Sequence, residues 1–187
     1  MGLTNNLTMK NLIILMLAVV FISGCCSIKQ RFSKDELKWL NVYNVDDTIV
    51  FQSSKGELDT IWIVKKDIFH PDCNPIISHG LYLPIFGEIY YTDETGKIDK
   101  LVGLWKYKYR TALLINLNKS SVFFIDIDKE NMKAVKIGSS YMFDTFHPKA
   151  KENEPRYIFW HEDHGIIKFI NHDGVEWKRI NLDFEVE

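Results

Sequence analysis

Hydrophobic and polar residues alternate along most of the chain after residue 47, with the period of two that is typical of half-buried β-strands. The pattern is clearest from residue 105 to residue 110, where aromatic and basic side chains alternate, and it continues through Leu113, Ile115 and Leu117. No glycine-rich phosphate loop and no alternation of strands with long helical patterns competes with it. The pattern therefore predicts a protein that is mainly β.

Short turn sequences separate the predicted strands. Ser54-Lys55-Gly56 joins strands at 48–53 and 58–64, and Asp93-Glu94-Thr95-Gly96 joins strands at 86–92 and 98–109. Further strands are predicted at 122–126, 141–146, 156–161, 166–170 and 175–182. Strands at short, regular spacing with sequential turns predict an antiparallel meander. We expect a curled sheet, either barrel-like or folded over as a sandwich.

One short helix is expected before the first of these strands. Ser33 and Glu36 have the spacing of a capping box, which marks a helix N-terminus. The helix is predicted over residues 34–41, with Leu37 and Leu40 on one face and Trp39 close by. A helix of about two turns is marginal alone. We therefore expect its apolar side to pack on the β domain.

The start of the chain has the layout of a secretory signal. Lys10 precedes an apolar run over residues 12–22, and Ser23-Gly24-Cys25 follows. A transmembrane helix needs about 20 apolar residues, so this run is too short to be a permanent span. A conventional cleaved signal favours an Ala-x-Ala-like site, which is absent here. Ile22-Ser23-Gly24-Cys25 instead resembles the lipobox of bacterial lipoproteins.

The lipobox resemblance implies a defined modification. Cys25 would receive a diacylglyceryl group on its thiol, and the peptide would be cleaved between Gly24 and Cys25. Two or more acyl chains make a stable membrane anchor, whereas one chain is marginal. The expected organisation is a signal peptide at 1–24, a lipidated basic tether at 25–32 and a single domain at 33–187. Met1 and Met9 remain alternative starts, because either one would precede a complete signal.

Composition excludes one class of partner. Removing the first 24 of 187 residues leaves 163, enough for one domain, and Lys10 is the only charged residue lost, so the formal net charge changes from −2 to −3. A mildly acidic chain with interspersed charges gives no reason to expect a nucleic-acid partner. With Cys25 acylated, Cys26 and Cys73 could form a disulfide or remain free thiols, and both alternatives stay open.

Two strand-and-turn patterns carry a resemblance. They run from Phe51 through Asp59-Thr60-Ile61, and from Tyr157-Ile158-Phe159-Trp160 through Gly165 to Trp177. Together with the lipobox they make the chain similar to small, uncharacterised bacterial lipoproteins of the Bacteroidetes type. The resemblance implies an envelope location and a β fold, and it supplies no catalytic residues. The residues after Cys25 imply the outer membrane and the periplasmic face.

Two groups of side chains are candidates for chemistry. His161, Glu162 and His164 are weak candidates for a metal site, because the zinc-protease spacing is His-Glu-x-x-His on a helix and this segment is a turn between strands. Their alternative role is a polar hairpin tip. A second loose group, with His70, Asp72, Cys73 and His79, could hold a Cys-His pair, but Pro71 and Pro75 favour a rigid loop.

The function expected from the sequence is binding or assembly. The chain has 5 Trp, 8 Tyr and 12 Phe, which in a β domain form first of all a core, although aromatic side chains can also line a glycan groove. We expect a non-enzymatic, membrane-anchored domain with an envelope protein or glycan partner and no cofactor. The alternative is an envelope hydrolase acting on glycan or peptide, since carboxylate pairs assembled in space are invisible in a sequence.

Overall fold

A computed structural model of the chain describes residues 28–72, 82–118, 120–125, 134–145 and 149–182. One helix, α1, covers Lys34–Asn41. The strands are β1 (Ile28–Lys29), β2 (Thr48–Ser53), β3 (Leu58–Phe69), β4 (Tyr82–Leu83), β5 (Ile85–Thr92), β6 (Ile98–Tyr107), β7 (Arg110–Leu117), β8 (Ser120–Ile125), β9 (Ala134–Ile137), β10 (Ser140–Asp144), β11 (Pro155–His161), β12 (Gly165–Asn171) and β13 (Glu176–Arg179). No helix in these ranges has the length and apolar character needed to cross a membrane.

Eleven of the strands form one antiparallel sheet. Their spatial order is β8-β7-β6-β5-β3-β2-β13-β12-β11-β10-β9, so neighbours in the sheet are successive sheet strands except where β2 pairs with β13. The remaining two strands, β1 and β4, make a small parallel pair. The prediction of a mainly β, antiparallel meander with one short helix is confirmed.

The direction of the strands explains why the sheet stays open. All ten strand pairs within the eleven-stranded sheet are antiparallel. In a row of eleven strands that alternate in direction, the first and the last point the same way. Within the described residues β8 and β9 are these edges, so they cannot close the ring as one more antiparallel pair. The result is a curled half-barrel. The sequence predicted a curled sheet and left open whether it would be barrel-like or a sandwich.

Helix α1 packs against both arms of the half-barrel. On one side Leu40 lies against Gly87 of β5, where the absence of a Cβ gives it room. On the other side the Trp39 ring lies 5.5 Å from that of Tyr141 and 5.4 Å from that of Trp160, centroid to centroid. The helix therefore joins β5 to β10 and β11 through the core.

Glu36 of α1 links the helix cap to the sheet. Its backbone N–H donates to Ser33 Oγ at 3.1 Å, and its carboxylate accepts from the Ser33 N–H, which completes the predicted capping box. The same buried carboxylate accepts from Lys106 Nζ at 2.8 and 2.9 Å and from the Thr111 hydroxyl. Burial opposes ionisation of Glu36, but these donors outweigh it and hold its pKa below the ordinary value.

Tyr43 fixes the chain after the helix. The residue is fully buried, and its hydroxyl oxygen accepts a hydrogen bond from the N–H of Ile166 at 2.6 Å. The ring packs edge-on against Trp160, with 5.7 Å between centroids. Gly165 has a φ of 73°, and a Cβ there would collide with the Tyr43 ring. A glycine is thus required at the start of β12.

The prediction of the strand that begins at Ile98 was wrong at its end. Alternation through residue 110 predicted one continuous strand over 98–109, but β6 ends at Tyr107 and β7 begins at Arg110. Lys108 and Tyr109 form the turn between them, with Lys108 at a left-handed φ of 56°. Strands β1, β4 and β9 were not predicted, and β3 extends five residues past the predicted end.

Candidate functional site

The connections of the meander gather at two ends of the sheet. Because successive strands alternate in direction, every second connection returns to the same end. The connections β2–β3, β5–β6, β7–β8, β10–β11 and β12–β13 share one end, which we call the pocket end. The opposite end carries the β6–β7 turn with β1 and β4, and we call it the tether end.

A pocket of about 290 Å³ opens at the pocket end, between the two arms of the half-barrel. One wall comes from β5, β6 and the turn that joins them, with Tyr91, Asp93, Thr95, Lys97 and Asp99. The residue after β7 and the segment before β11 supply the rest, with Asn118, Lys151, Asn153 and Glu154. The lining is polar on every side and combines donors with acceptors.

Most of the charged groups in the lining are held by local contacts. Lys97 Nζ lies 2.9 Å from Asp99 Oδ2, and Asp93 Oδ1 accepts from the Thr95 N–H at 2.9 Å. The Thr95 hydroxyl also donates to Asp93, and this hydrogen bond is the main reason why the pKa of Asp93 lies below its ordinary value. These contacts fix the rim of the pocket in one geometry.

A further carboxyl group, that of Asp59, lies behind the lining. Asn118 donates from Nδ2 to Asp59 Oδ2 at 3.3 Å, and its N–H donates to the Tyr91 hydroxyl at 3.2 Å. Burial raises the pKa of Asp59, and the nearby carboxylates of Asp93 and Glu94 add to the effect. Burial also raises the pKa of Tyr91 to about 12, so its hydroxyl keeps its proton at neutral pH.

Three buried polar atoms lie on the hairpin beside the pocket wall. Within the described residues, Asn171 Oδ1, His172 Nε2 and Trp177 Nε1 have no hydrogen-bond partner. The hairpin is tied to the wall because the His172 N–H donates to the carbonyl of Glu154 at 3.1 Å. Each unpaired buried group costs about 1–3 kcal/mol. Such groups call for an explanation where a folded protein keeps them.

The predicted metal candidates have other contacts. The carboxylate of Glu162 accepts from Lys136 Nζ at 3.0 Å and from the Tyr141 hydroxyl at 2.9 Å. His161 Nδ1 accepts the Asp163 N–H at 3.1 Å, as in a polar turn, although the rings of His161 and His164 lie 4.9 Å apart. Across the described ranges no three His, Cys, Asp or Glu side chains are grouped as they would be around a metal ion.

The second predicted group is described only in part. His70 Nδ1 lies 2.8 Å from the carbonyl oxygen of Pro84, and Asp72 is exposed. Cys73 and His79 lie outside the described residues, as do Gly24, Cys25 and Cys26 and the two candidate start methionines. A Cys-His pair, a disulfide and the lipidation site therefore stay predictions.

The most deeply buried aromatic residues lie in the core, and the most exposed one described lies at the tether end. Trp160, Phe51, Phe143 and Phe169 are fully or almost fully buried, as expected for core residues. Tyr109, by contrast, is 85% exposed at the β6–β7 turn. The pocket itself offers one aromatic side chain, Tyr91, which is 3% exposed, so it has no broad stacking surface.

Sequence reasoning missed the pocket because its residues looked like ordinary turn residues. The sequence around Asp93 and Thr95 predicts a turn, and these two residues do form its hydrogen bonds. Lys151 and Glu154 are distant in the chain and meet the β5–β6 turn only because β13 pairs with β2 and curls the two arms together. That long-range pairing has no local signal.

Comparison with known proteins gave no match: no protein-family profile, no curated protein and no solved structure resembles this chain at a significant level. The functional interpretation therefore rests on the residues and geometry described above.

Proposed function

We propose that the protein is a lipid-anchored lipoprotein of the outer membrane, facing the periplasm, whose β domain binds a small polar ligand such as a short glycan. The lipobox at residues 22–25 supports the anchor. The pocket of about 290 Å³ is the single observation that carries the binding activity. Its volume is at the lower end for ligand pockets, which suits a ligand about the size of one or two sugar rings.

The chemistry of the lining favours hydroxyl groups over apolar ligands. Asn118 and Asn153 each present an amide, and Lys97 and Glu154 add a donor and an acceptor. A hydroxyl group both donates and accepts, so it can use such a mixed lining, whereas a lipid chain would leave these groups unpaired at a cost.

A direct test uses the mature chain with Cys25→Ser, which cannot be acylated. Saturation-transfer NMR with a panel of neutral mono- and disaccharides should show transfer to at least one of them. Asn153→Ala and Lys151→Ala should weaken that signal, since both side chains line the pocket and are exposed. Lys178→Ala, on β13 and outside the pocket, is the matched control. The sugar site would be contradicted if no saccharide of the panel showed transfer, or if Lys178→Ala weakened the transfer as much as Asn153→Ala and Lys151→Ala.

The anchor has its own test. Wild-type protein should fractionate with the outer membrane and stay there in a high-salt wash. The mature Cys25→Ser chain, exported with a conventional cleavable signal in place of residues 1–24, should be released into the soluble fraction by high salt, because without acyl chains only salt-sensitive surface charges would hold it. Retention of this Cys25→Ser protein entirely with membranes after the high-salt wash would contradict the anchor. Protease treatment of intact cells should leave the protein whole if it faces the periplasm.

A hydrolase is the second candidate, and one observation favours it. Asp59 and Asp93 have pKa values displaced in opposite directions, the first upward by burial and the second downward by hydrogen bonding. Such a difference is what a general acid and its ionised partner require. Binding is the better-supported proposal, because the Asp93 carboxylate is engaged by its own turn. Turnover of a glycan or peptide that Asp59→Asn abolishes would favour the hydrolase instead.

A further inference from the structure

The segment after the proposed anchor is attached to the tether end of the domain. Ile28 and Lys29 pair in parallel with Tyr82 and Leu83, and the Gln30 N–H donates to the Leu83 carbonyl at 3.0 Å. Cys25 precedes Ile28 by three residues, so their Cα atoms are at most about 11 Å apart. If Cys25 is acylated, the tether end must therefore stay close to the lipid headgroups.

The β6–β7 turn lies beside this attachment point. Lys108 Nζ lies 5.5 Å from the centroid of the Tyr82 ring, and a hydrogen bond with Tyr109 raises the pKa of Tyr82. Tyr109 itself is 85% exposed, the largest exposed fraction of any large hydrophobic side chain described. The turn and the β1–β4 pair thus form one continuous surface.

This surface combines cations with exposed apolar groups. Its exposed basic residues are Lys29, Arg31, Lys108 and Arg110. Two apolar side chains, Ile28 and Phe69, are each 41% exposed in addition to Tyr109, and Phe69 stacks on Phe86 at the start of β5.

The described carboxylates near this end reduce the positive charge only in part. Glu36 is buried under Lys106 and Thr111 and does not face solvent. Asp35 lies 3.2 Å from Lys38 and Asp67 lies 2.5 Å from Lys65, and Asp72 is exposed. Asp46 before β2 and Asp163 in the β11–β12 turn are also exposed at this end, but on strands farther along the sheet. The surface formed by the β6–β7 turn and the β1–β4 pair therefore keeps a positive balance, which is complementary to anionic phospholipid headgroups.

We propose that the tether end rests on the membrane that holds the acyl chains, with Tyr109 at the interface and the four exposed cations against anionic headgroups. Tyrosine is enriched at membrane–water interfaces, where its ring and its hydroxyl both find suitable surroundings. The proposal rests on the proposed lipid anchor. Its consequence is that the pocket end points away from the bilayer, because β6, with ten residues, runs about 30 Å from one end to the other.

The decisive experiment measures the distance of each end from the lipid. Mature protein, lipidated at Cys25 and carrying Cys26→Ser and Cys73→Ser, is incorporated into vesicles of phosphatidylethanolamine and phosphatidylglycerol with a headgroup-linked quencher. One fluorophore is placed by Tyr109→Cys at the tether end and another by Glu94→Cys at the pocket end; both positions are exposed turn residues. We expect strong quenching at 109 and little at 94. Equal quenching, or the reverse order, would overturn the orientation.

A second experiment tests the charges without the anchor. The mature Cys25→Ser chain should bind phosphatidylglycerol-containing vesicles in a sedimentation assay, more weakly as salt rises. Each cation near the surface contributes about a fivefold factor, so Lys108→Gln with Arg110→Gln should reduce binding about 25-fold. Lys97→Gln with Lys151→Gln, at the pocket end, should change it little. An equal loss in both pairs would contradict the proposed surface.

Failure of this inference can be told apart from failure of the anchor. Protein that is retained in the vesicles but shows no preferential quenching at residue 109 has an anchor and a different orientation. Protein that is never acylated and does not enter the vesicles contradicts the anchor itself. The two results come from separate readouts, retention and quenching.

Discussion

Replacing Glu36 by glutamine is the sharpest perturbation of the link between α1 and the sheet. The substitution keeps the size of the side chain and removes its charge. It leaves the Lys106 ammonium, whose side chain is 20% exposed, without the carboxylate charge that lies 2.8 Å away, while the Glu36 side chain itself is 1% exposed. Breaking a fully buried pair costs about 3–5 kcal/mol, whereas a surface pair contributes about 0–1 kcal/mol.

The structure places the expected cost between these limits. Because Lys106 retains some access to water, we expect Glu36→Gln to lower the free energy of unfolding by about 2–3 kcal/mol. For a domain of this size that corresponds to a fall in Tm of roughly 5–10 °C. Chemical denaturation followed by tryptophan fluorescence measures the first quantity and a thermal scan the second.

A neighbouring residue provides the control. Asp35→Asn makes the same change of charge in the same helical turn, but the Asp35 side chain is 86% exposed and its partner Lys38 is 63% exposed. Its expected effect is within about 0.5 kcal/mol. A loss of less than about 0.5 kcal/mol for Glu36→Gln as well would refute the reasoning that the buried carboxylate holds the helix.

The effect of pH gives an independent check. The pKa of folded Glu36 lies below its ordinary value of 4.5, so the folded state favours the ionised form. Its contribution is fully present above about pH 4.5 and is lost as the pH falls through the lower, folded-state pKa. The difference in stability between wild type and Glu36→Gln should therefore shrink in acid. A difference that grows in acid would have the wrong sign.

Three further outcomes are expected. Tyr43→Phe should cost about 1–3 kcal/mol in chemical denaturation, because it leaves the buried Ile166 N–H without its acceptor; an unchanged midpoint would contradict that role. Gly165→Ala should cost roughly 2–4 kcal/mol through backbone strain and collision with Tyr43, against about 1 kcal/mol for Gly56→Ala, where the left-handed backbone faces open space. Isothermal titration with Zn²⁺ should show no site tighter than micromolar, and a tighter site abolished by His161→Ala would restore the metal hypothesis.

Local signals were enough to predict most of the elements. The capping box at Ser33 and Glu36 located the helix, and Ser54-Lys55-Gly56 located the first hairpin. The same kind of signal misled at Lys108 and Tyr109, because alternation of side chains can continue across a two-residue turn. There the chain reverses direction with Lys108 at a left-handed φ. Lysine is not among the residues, such as Asn, Asp and Gly, that indicate a two-residue hairpin turn.

Long-range pairing decided what the sequence could not show. The role of Glu36 beyond its cap depends on Lys106, 70 residues away, and the pocket depends on Lys151 and Glu154 meeting the β5–β6 turn. The first follows from the packing of α1 on β5 and β6, and the second from the curl of the sheet and the β2–β13 pair. Burial of a polar residue in a helix with a capping box has no sequence signal of its own, so the prediction stopped at the cap.

The most direct test of the lipid anchor is mass spectrometry of the N-terminal tryptic peptide of the protein isolated from the cell envelope. The proposal predicts a peptide that begins at Cys25, ends at Lys29 and carries a diacylglyceryl group on the Cys25 sulfur. The same peptide without lipid, or a mature chain that still contains residues before Cys25, would contradict the anchor and with it the proposed orientation at the membrane.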